Sequence, residues 1–255
     1  MSGRVTLVGA GPGAADLLTL RAVDRLRTAD VVLFDRLVSP TVLGNAPLGA
    51  ELIPVGKRPG DSAAGQRRIL DLLVAHASLG RHVVRLKGGD PMVFGRGAEE
   101  LQHLVDRGIP VEVVPGVTSA IGVPTSLGIP VTLRGVASSF AVLPGEVAPD
   151  DGWAGLAPVD TLVVLMGVRR RTEIATALVA AGRRATTPVA FVERGSTSDE
   201  RIVTSTLGEV AAGRVDVESP AVWVIGDVVD AVAWRSAARA PVADRIEDET
   251  IRATA

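Results

Sequence analysis

The feature that most limits the fold of this chain is a regular alternation of short, wholly apolar runs with stretches of helical periodicity. In the first half the runs are Val5–Val8, Val31–Phe34, Leu52–Val55, Val83–Leu86 and Val111–Val114. Runs of that length, without polar alternation, suit strands covered on both faces, as in a parallel sheet. Between them apolar residues recur at helical spacing: Leu17, Leu18, Ala22, Val23 and Leu26, then Ile69, Leu72, Leu73 and Ala77. Gly and Pro punctuate the junctions. The alternation predicts βαβ units joined by right-handed crossovers, and so an α/β class.

A turn-rich stretch is expected from Gly122 to Gly135, with Pro124, Gly128 and Pro130. Strand runs resume at Phe140–Leu143, Thr161–Met166, Val189–Val192, Ile202–Ser205 and Ala221–Ile225, with helical stretches at Glu173–Ala181 and around Glu209. The last two runs leave little room for a long crossover helix, which predicts some antiparallel pairing. The expected organisation is two α/β domains, 1–120 with a parallel sheet and 121–240 with a mixed sheet. A polar tail would span 241–255.

With 27 basic and 29 acidic residues, nothing predicts a general affinity for nucleic acid or anionic membranes,. An anionic ligand must then be held by a local group of Arg and Lys. There is no cysteine, which excludes disulfides, thiolate nucleophiles, Cys-based zinc sites and iron–sulfur clusters,. His76, His82 and His103 have no metal-ligand spacing, so no metal is expected,. No apolar run approaches the ~20 residues that span a bilayer. No charged segment followed by an apolar one opens the chain, so a cytoplasmic location is expected.

Two glycine loops follow strand runs. Gly9-Ala10-Gly11-Pro12-Gly13-Ala14 fits G-x-G-x-x-A, and Asp35 ends the next run, which together make a dinucleotide fingerprint,. The plainer alternative is a tight strand-to-helix turn that uses glycine for close packing. Pro12 counts against a dinucleotide because it removes an N–H that a pyrophosphate would use. The second loop, Lys87-Gly88-Gly89-Asp90-Pro91, runs on to Phe94-Gly95-Arg96-Gly97. One dinucleotide site does not need both loops. In a parallel sheet both emerge at the carboxyl edge, where ligands bind, and can line one cleft.

Six strings occur together and in order: Val8–Gly13 (VGAGPG), Asp30–Pro40 (DVVLFDRLVSP), Val55–Arg58 (VGKR), Val84–Glu99 (VRLKGGDPMVFGRGAE), Val113–Ala120 (VVPGVTSA) and Ile129–Ala137 (IPVTLRGVA). Weaker matches follow at Leu165–Gly167, Arg194–Thr197 and Val224–Val228. In this combination the chain resembles the S-adenosylmethionine-dependent uroporphyrinogen-III C-methyltransferases of the tetrapyrrole methylase superfamily, over about residues 3–230.

That resemblance implies two α/β domains with a ligand cleft between them, a homodimer, and methylation of a small tetrapyrrole, uroporphyrinogen III, at C2 and C7. The product would be precorrin-2, formed by way of precorrin-1, for sirohaem or cobalamin. It also implies that S-adenosylmethionine, leaving as S-adenosylhomocysteine, touches Pro12, Gly88, Gly89, Asp90, Val93, Thr118, Ser119, Met166 and Gly195. Asp35 matches the family's proton acceptor and Lys57 its proton donor, while Arg96 and Glu99 match a pair used in binding or catalysis. Arg36, Arg58, Arg96 and Arg134 would grip the substrate's carboxylates. Read without the resemblance, these are a strand-end Asp, a solvated Lys, a surface ion pair, and a Met that fills core.

Four positions depart from the family pattern. Ala14 stands where an Asp is usual, and Ser62, Leu133 and Glu146 each stand where a His is usual. Alternative readings are a methylase acting on another precorrin, an NAD-dependent oxidoreductase and a non-catalytic binding protein. An RNA methylase of the same superfamily would call for a basic face and stacking aromatics. The charge balance and the 3% aromatic content argue against it,.

Overall fold

The computed structural model describes residues 3–56, 63–146 and 153–231. Every one of the apolar runs becomes a strand, and the strands form two five-stranded sheets. The first sheet contains β1 (Arg4–Gly9), β2 (Val31–Phe34), β3 (Glu51–Pro54), β4 (His82–Lys87) and β5 (Val111–Val114). All its pairings are parallel, in the order β3-β2-β4-β1-β5. Val8, Val32, Val84, Leu86 and Val114 pack on one face with α1 (Leu20–Arg27) and α2 (Pro40–Leu43). Val5, Leu7, Val31, Leu33 and Val83 pack on the other with α3 (Ala63–Ser78) and α4 (Gly97–Val105). Both faces are covered, which is why the strand runs are continuously apolar.

The chain steps outward from β1 to β2 and β3 using helices on one face, and returns to β4 and β5 using helices on the other. The adjacent strands β1 and β4 therefore send their following helices to opposite faces. That is a topological switch point, where a crevice opens at the carboxyl edge. The expected α1 stripe began too early. Leu17 and Leu18 precede the helix, which starts only after Thr19, whose Oγ1 accepts the Ala22 N–H,.

The second sheet contains β6 (Phe140–Pro144), β7 (Thr161–Leu165), β8 (Pro188–Glu193), β9 (Arg201–Thr206) and β10 (Ala221–Ile225), in the order β6-β7-β10-β8-β9. Only β6 and β7 pair in parallel, so the sheet is mixed as expected. Because β7 and β8 are both antiparallel to β10, they run the same way. The ends of β6, β7 and β8 thus share one edge. One face packs with α6 (Arg171–Ala180) and α7 (Leu207–Ala211) around Phe191 and Trp223, whose rings stack at 4.8 Å. The other packs with α5 (Ser119–Ser126) and α8 (Val228–Ala231).

Helix α5 corrects the turn-rich reading of the stretch from Gly122. Ala120, Gly122, Val123 and Pro124 are all buried in it. A Cβ on Gly122 would lie 2.7 Å from the Val117 side chain and 3.2 Å from the Pro12 ring. The glycine is there for close packing, not for a turn. The helix straddles the expected boundary at 120/121 and packs with the second sheet. The expected tail, 241–255, lies outside the described residues.

Candidate functional site

Three glycine loops leave the carboxyl edge of the first sheet and interlock backbone to backbone. Gly89 N donates to Gly11 O at 2.8 Å, and Gly11 N returns a bond to Gly89 O at 3.2 Å. A Cβ on Gly9 would sit 2.5 Å from Gly116 Cα, and one on Gly116 would sit 2.3 Å from Gly89 O. No side chain fits at either place. Asp90 ties the loops further, accepting the Gly116 N–H at 3.0 Å and the Met92 N–H at 2.8 Å. Ser39, in the loop after β2, donates to Gly13 O at 2.8 Å.

Most of the expected cofactor residues meet here. Gly89 adopts φ +66° beside Thr118 and Ser119, Val93 closes the turn after Asp90, and Thr118 caps α5. Pro12 lies against Gly122. A Cβ on Gly13 would meet Thr197 at 3.1 Å and Gly195 O at 3.3 Å. Gly195 itself abuts the Val123 side chain of α5. The carboxyl edges of the two sheets therefore touch at this point. Met166 follows β7 on the same edge as Gly195, with β10 between them, a separation of about 10 Å at ordinary strand spacing,. A Cβ on Gly88 would meet nothing within 4 Å, so this loop faces open space.

A second signal marks the same mouth. Phe94, Arg96, Met166, Arg194 and Ser196 all have positive φ, and all follow β4, β7 or β8. Non-glycine residues in this region cost energy and gather where the surrounding structure holds a working geometry. No sequence pattern reveals them.

Asp35 follows β2, and its carboxylate accepts a 2.5 Å bond from Arg85 Nη2 while remaining 34% exposed. Arg36 is exposed, and Gly56 is pressed against it. Lys57, Arg58 and Ser62 lie outside the described residues. Arg96 is the N-cap of α4 and binds Glu99 through two parallel bonds of 2.9 and 2.6 Å. Both side chains of this pair are largely exposed. Arg134 stands exposed at the tip of a tight turn closed by Leu133 and Ala137. Glu146 follows β6 beside the Met166 loop, since Gly145 packs directly on Gly167. Ala14 precedes a short 3-10 turn and offers it no side-chain cap, while Asp16 lies within that turn.

A buried charged cluster under this edge was not foreseen. Glu100 Oε1 receives Lys87 Nζ at 2.9 Å, Gln66 Nε2 at 3.2 Å and Arg85 Nε at 3.4 Å. Burial, reinforced by neighbouring Arg85, pushes the Lys87 ammonium below the usual lysine range, against the pull of Glu100,. The available signal was parity. Arg85 and Lys87 are two apart on a strand covered on both faces, so they share a face and need a buried acid.

Among the described residues, no group of three His, Asp or Glu could hold a metal ion, and no helix is long and apolar enough to cross a membrane.

Comparison with known proteins bears on this geometry. The family model of tetrapyrrole (corrin/porphyrin) methylases matches residues 4–211. A siroheme synthase of Tolumonas auensis is 46% identical over 239 residues, 91% of this chain and 51% of that protein. The chain spans about half the length of the curated relatives it matches. A Thermus thermophilus uroporphyrin-III C-methyl transferase complexed with S-adenyl homocysteine is 50% identical with a TM-score of 0.81, covering 90% of this chain and 100% of its own. A cobalt precorrin-4 methyltransferase is 26% identical with a TM-score of 0.78, covering 89% of this chain and 96% of its own.

Proposed function

The chain belongs to the tetrapyrrole methylase family, and from that premise we propose that it methylates uroporphyrinogen III at C2 and C7, using S-adenosylmethionine. Precorrin-2 would form by way of precorrin-1, for sirohaem or cobalamin. The observation that carries the reading is the open space over Gly88, framed by three interlocked glycine loops, in a chain 50% identical to a uroporphyrin-III C-methyl transferase complexed with S-adenyl homocysteine.

The residues fit such a ligand. Gly88 and Gly89 let backbone groups approach it, and Pro12, Asp90, Val93, Thr118, Ser119, Met166 and Gly195 complete the lining. Asp90 contributes through loop shape, because both its oxygens already accept backbone bonds. When bound, S-adenosylmethionine supplies a sulfonium methyl group that a pyrrole carbon can take in line, leaving S-adenosylhomocysteine. The chain's own work is positioning, together with handling the positive charge and the proton left on the ring. Asp35 balances that charge and receives the proton, and Lys57 donates where a proton is needed. Arg96, set by Glu99, joins Arg36, Arg58 and Arg134 in pairing with the substrate's carboxylates. A cytoplasmic homodimer completes the proposal, and sedimentation equilibrium tests the assembly.

The dinucleotide alternative fails on geometry as well as on family. The Gly11 N–H that would meet a pyrophosphate is committed to Gly89 O,. A second reading, methylation of another precorrin, is favoured by Leu133 and Glu146, which replace the usual His at two positions. Incubation with uroporphyrinogen III and methyl-labelled S-adenosylmethionine, under reducing conditions, separates the two. Two labelled methyl groups on this substrate are expected. An unlabelled product pool, with label accepted by a later precorrin, would favour the second reading.

A further inference from the structure

Four charged groups lie in one chain of contacts beneath the functional edge, and only one of them reaches solvent. Arg85, Lys87 and Glu100 are 2%, 1% and 0% exposed. Two cations against one carboxylate leave this interior group one positive charge in excess. Asp35 is 34% exposed and bonded to Arg85 Nη2, and it supplies the missing negative charge. Arg85 is fixed in turn, since its Nη1 donates to Leu86 O at 3.1 Å and Leu33 O at 3.4 Å, and its Nε reaches Glu100. Glu100 belongs to α4, which also carries Glu99 and is capped by Arg96, so the same assembly joins Asp35 to that pair. The Lys87 side chain runs beneath Gly95, where a Cβ would lie 3.3 Å from Lys87 Cε.

We infer that Arg85 is a positioning residue for Asp35. It fixes the carboxylate as the outermost charge of a buried Arg85–Glu100–Lys87 assembly and points it at the reacting tetrapyrrole. The inference rests on the proposed methylation and adds to it the residue through which Asp35 is aimed. An exposed aspartate at a strand end has free rotamers. One gripped by a guanidinium that is itself held at two carbonyls and a carboxylate does not. Misplacing a reacting group by about 1 Å can cost on the order of 10²-fold in rate.

Arg85→Met is the informative change because it removes the excess charge and leaves the neutral Lys87–Glu100 pair buried. In the intact chain, kcat for methyl transfer should fall about 10–100-fold. KM for uroporphyrinogen III and the affinity for S-adenosylhomocysteine should stay within a few-fold. In an Asp35→Asn background the same change should cost almost nothing further, because Arg85 acts through Asp35. Arg85→Lys should recover part of the rate. Equal losses in both backgrounds, or wild-type turnover in Arg85→Met, would overturn the inference. If the wild-type protein does not methylate uroporphyrinogen III, the proposed function fails instead. The inference is then decided by the crystal structure of Arg85→Met, where an Asp35 carboxylate still in its wild-type position would contradict it.

Discussion

Each sheet buries a carboxylate completely, and the two are treated in opposite ways. Against the first sheet, Glu100 of α4 meets two cations that are as buried as it is, and its Oε2 has no hydrogen-bond partner. In the second, Glu193 receives Arg201 through two bonds of 2.7 and 2.6 Å and the Glu218 N–H at 2.8 Å. Its cations, Arg201 and Arg194, reach the surface. The Arg201 hydrogen bond holds the Glu193 carboxyl below the usual glutamate range in spite of burial,. One acid is fully satisfied by partners that can return to water, and the other is part of an interior charge assembly closed by Asp35. The difference teaches where to look for function. Glu193 is satisfied by hydrogen bonds from partners that reach water, whereas the charge balance around Glu100 is completed only by Asp35 at the ligand edge,.

The largest test of this contrast is a matched pair of substitutions. Glu100→Gln leaves the buried Lys87 without its carboxylate, while Arg85 keeps Asp35, and should lower unfolding stability by about 3–5 kcal/mol. Glu193→Gln loses hydrogen bonds while its arginines resolvate, at roughly 1–3 kcal/mol. Urea midpoints would measure both, and equal losses would break the contrast.

Next in size is a methyl group at the loop junction. In Gly116→Ala the new Cβ meets Gly89 O, so the loops must separate. Overpacking of this kind costs about 1–3 kcal/mol, and S-adenosylhomocysteine binding should be lost with it. Gly155→Ala, in the second half and open to space, should change neither stability nor affinity. Calorimetric titration of the two variants checks this, and retained binding in Gly116→Ala would move the cofactor away from the glycine loops.

Arg134 sharpens the division of labour between the regions. Arg134→Lys keeps the charge but not the planar fork, and should raise KM for uroporphyrinogen III several-fold while sparing cofactor affinity. Equal weakening of both ligands in steady-state and binding measurements would contradict its assignment to the substrate.

The smallest expected effect is a difference in acid sensitivity. His82 is buried between Thr6 and Thr28, and burial pushes its pKa below the ordinary value. As pH falls below about 6.5, the unfolded chain takes up this proton first, so stability is lost from there down to the folded value. Glu193 has a lowered pKa, so its contribution is present above about pH 4.3 and is lost as pH falls toward the folded value. The contribution of His82 should therefore be lost at a higher pH than that of Glu193. Stability measured at stepped pH, with His82→Asn flattening the earlier step, tests this ordering.

The strands were legible because each is covered on both faces and so reads as one uninterrupted apolar run. Helix α5 was not, since Gly122 and Pro124 look like turn residues until their neighbours Pro12 and Val117 are known. The glycine loops and the Arg96–Glu99 pair could be found by local spacing. The Arg85–Glu100–Lys87 cluster joins a strand to a helix that starts ten residues after it, and only the fold brings them together. Contacts such as Gly13 with Gly195, and the left-handed backbone at Met166 and Ser196, likewise depend on two distant segments meeting.

Hydrogen exchange with and without S-adenosylhomocysteine tests most directly whether the cofactor lies where the two carboxyl edges meet. Slowed exchange is expected together at Gly9–Gly13, Gly88–Asp90 and Gly116–Ser119 of the first-sheet loops and α5 start, and at Arg194–Thr197 beyond β8 of the second sheet. Protection confined to one sheet, or centred elsewhere, would contradict a site built by both.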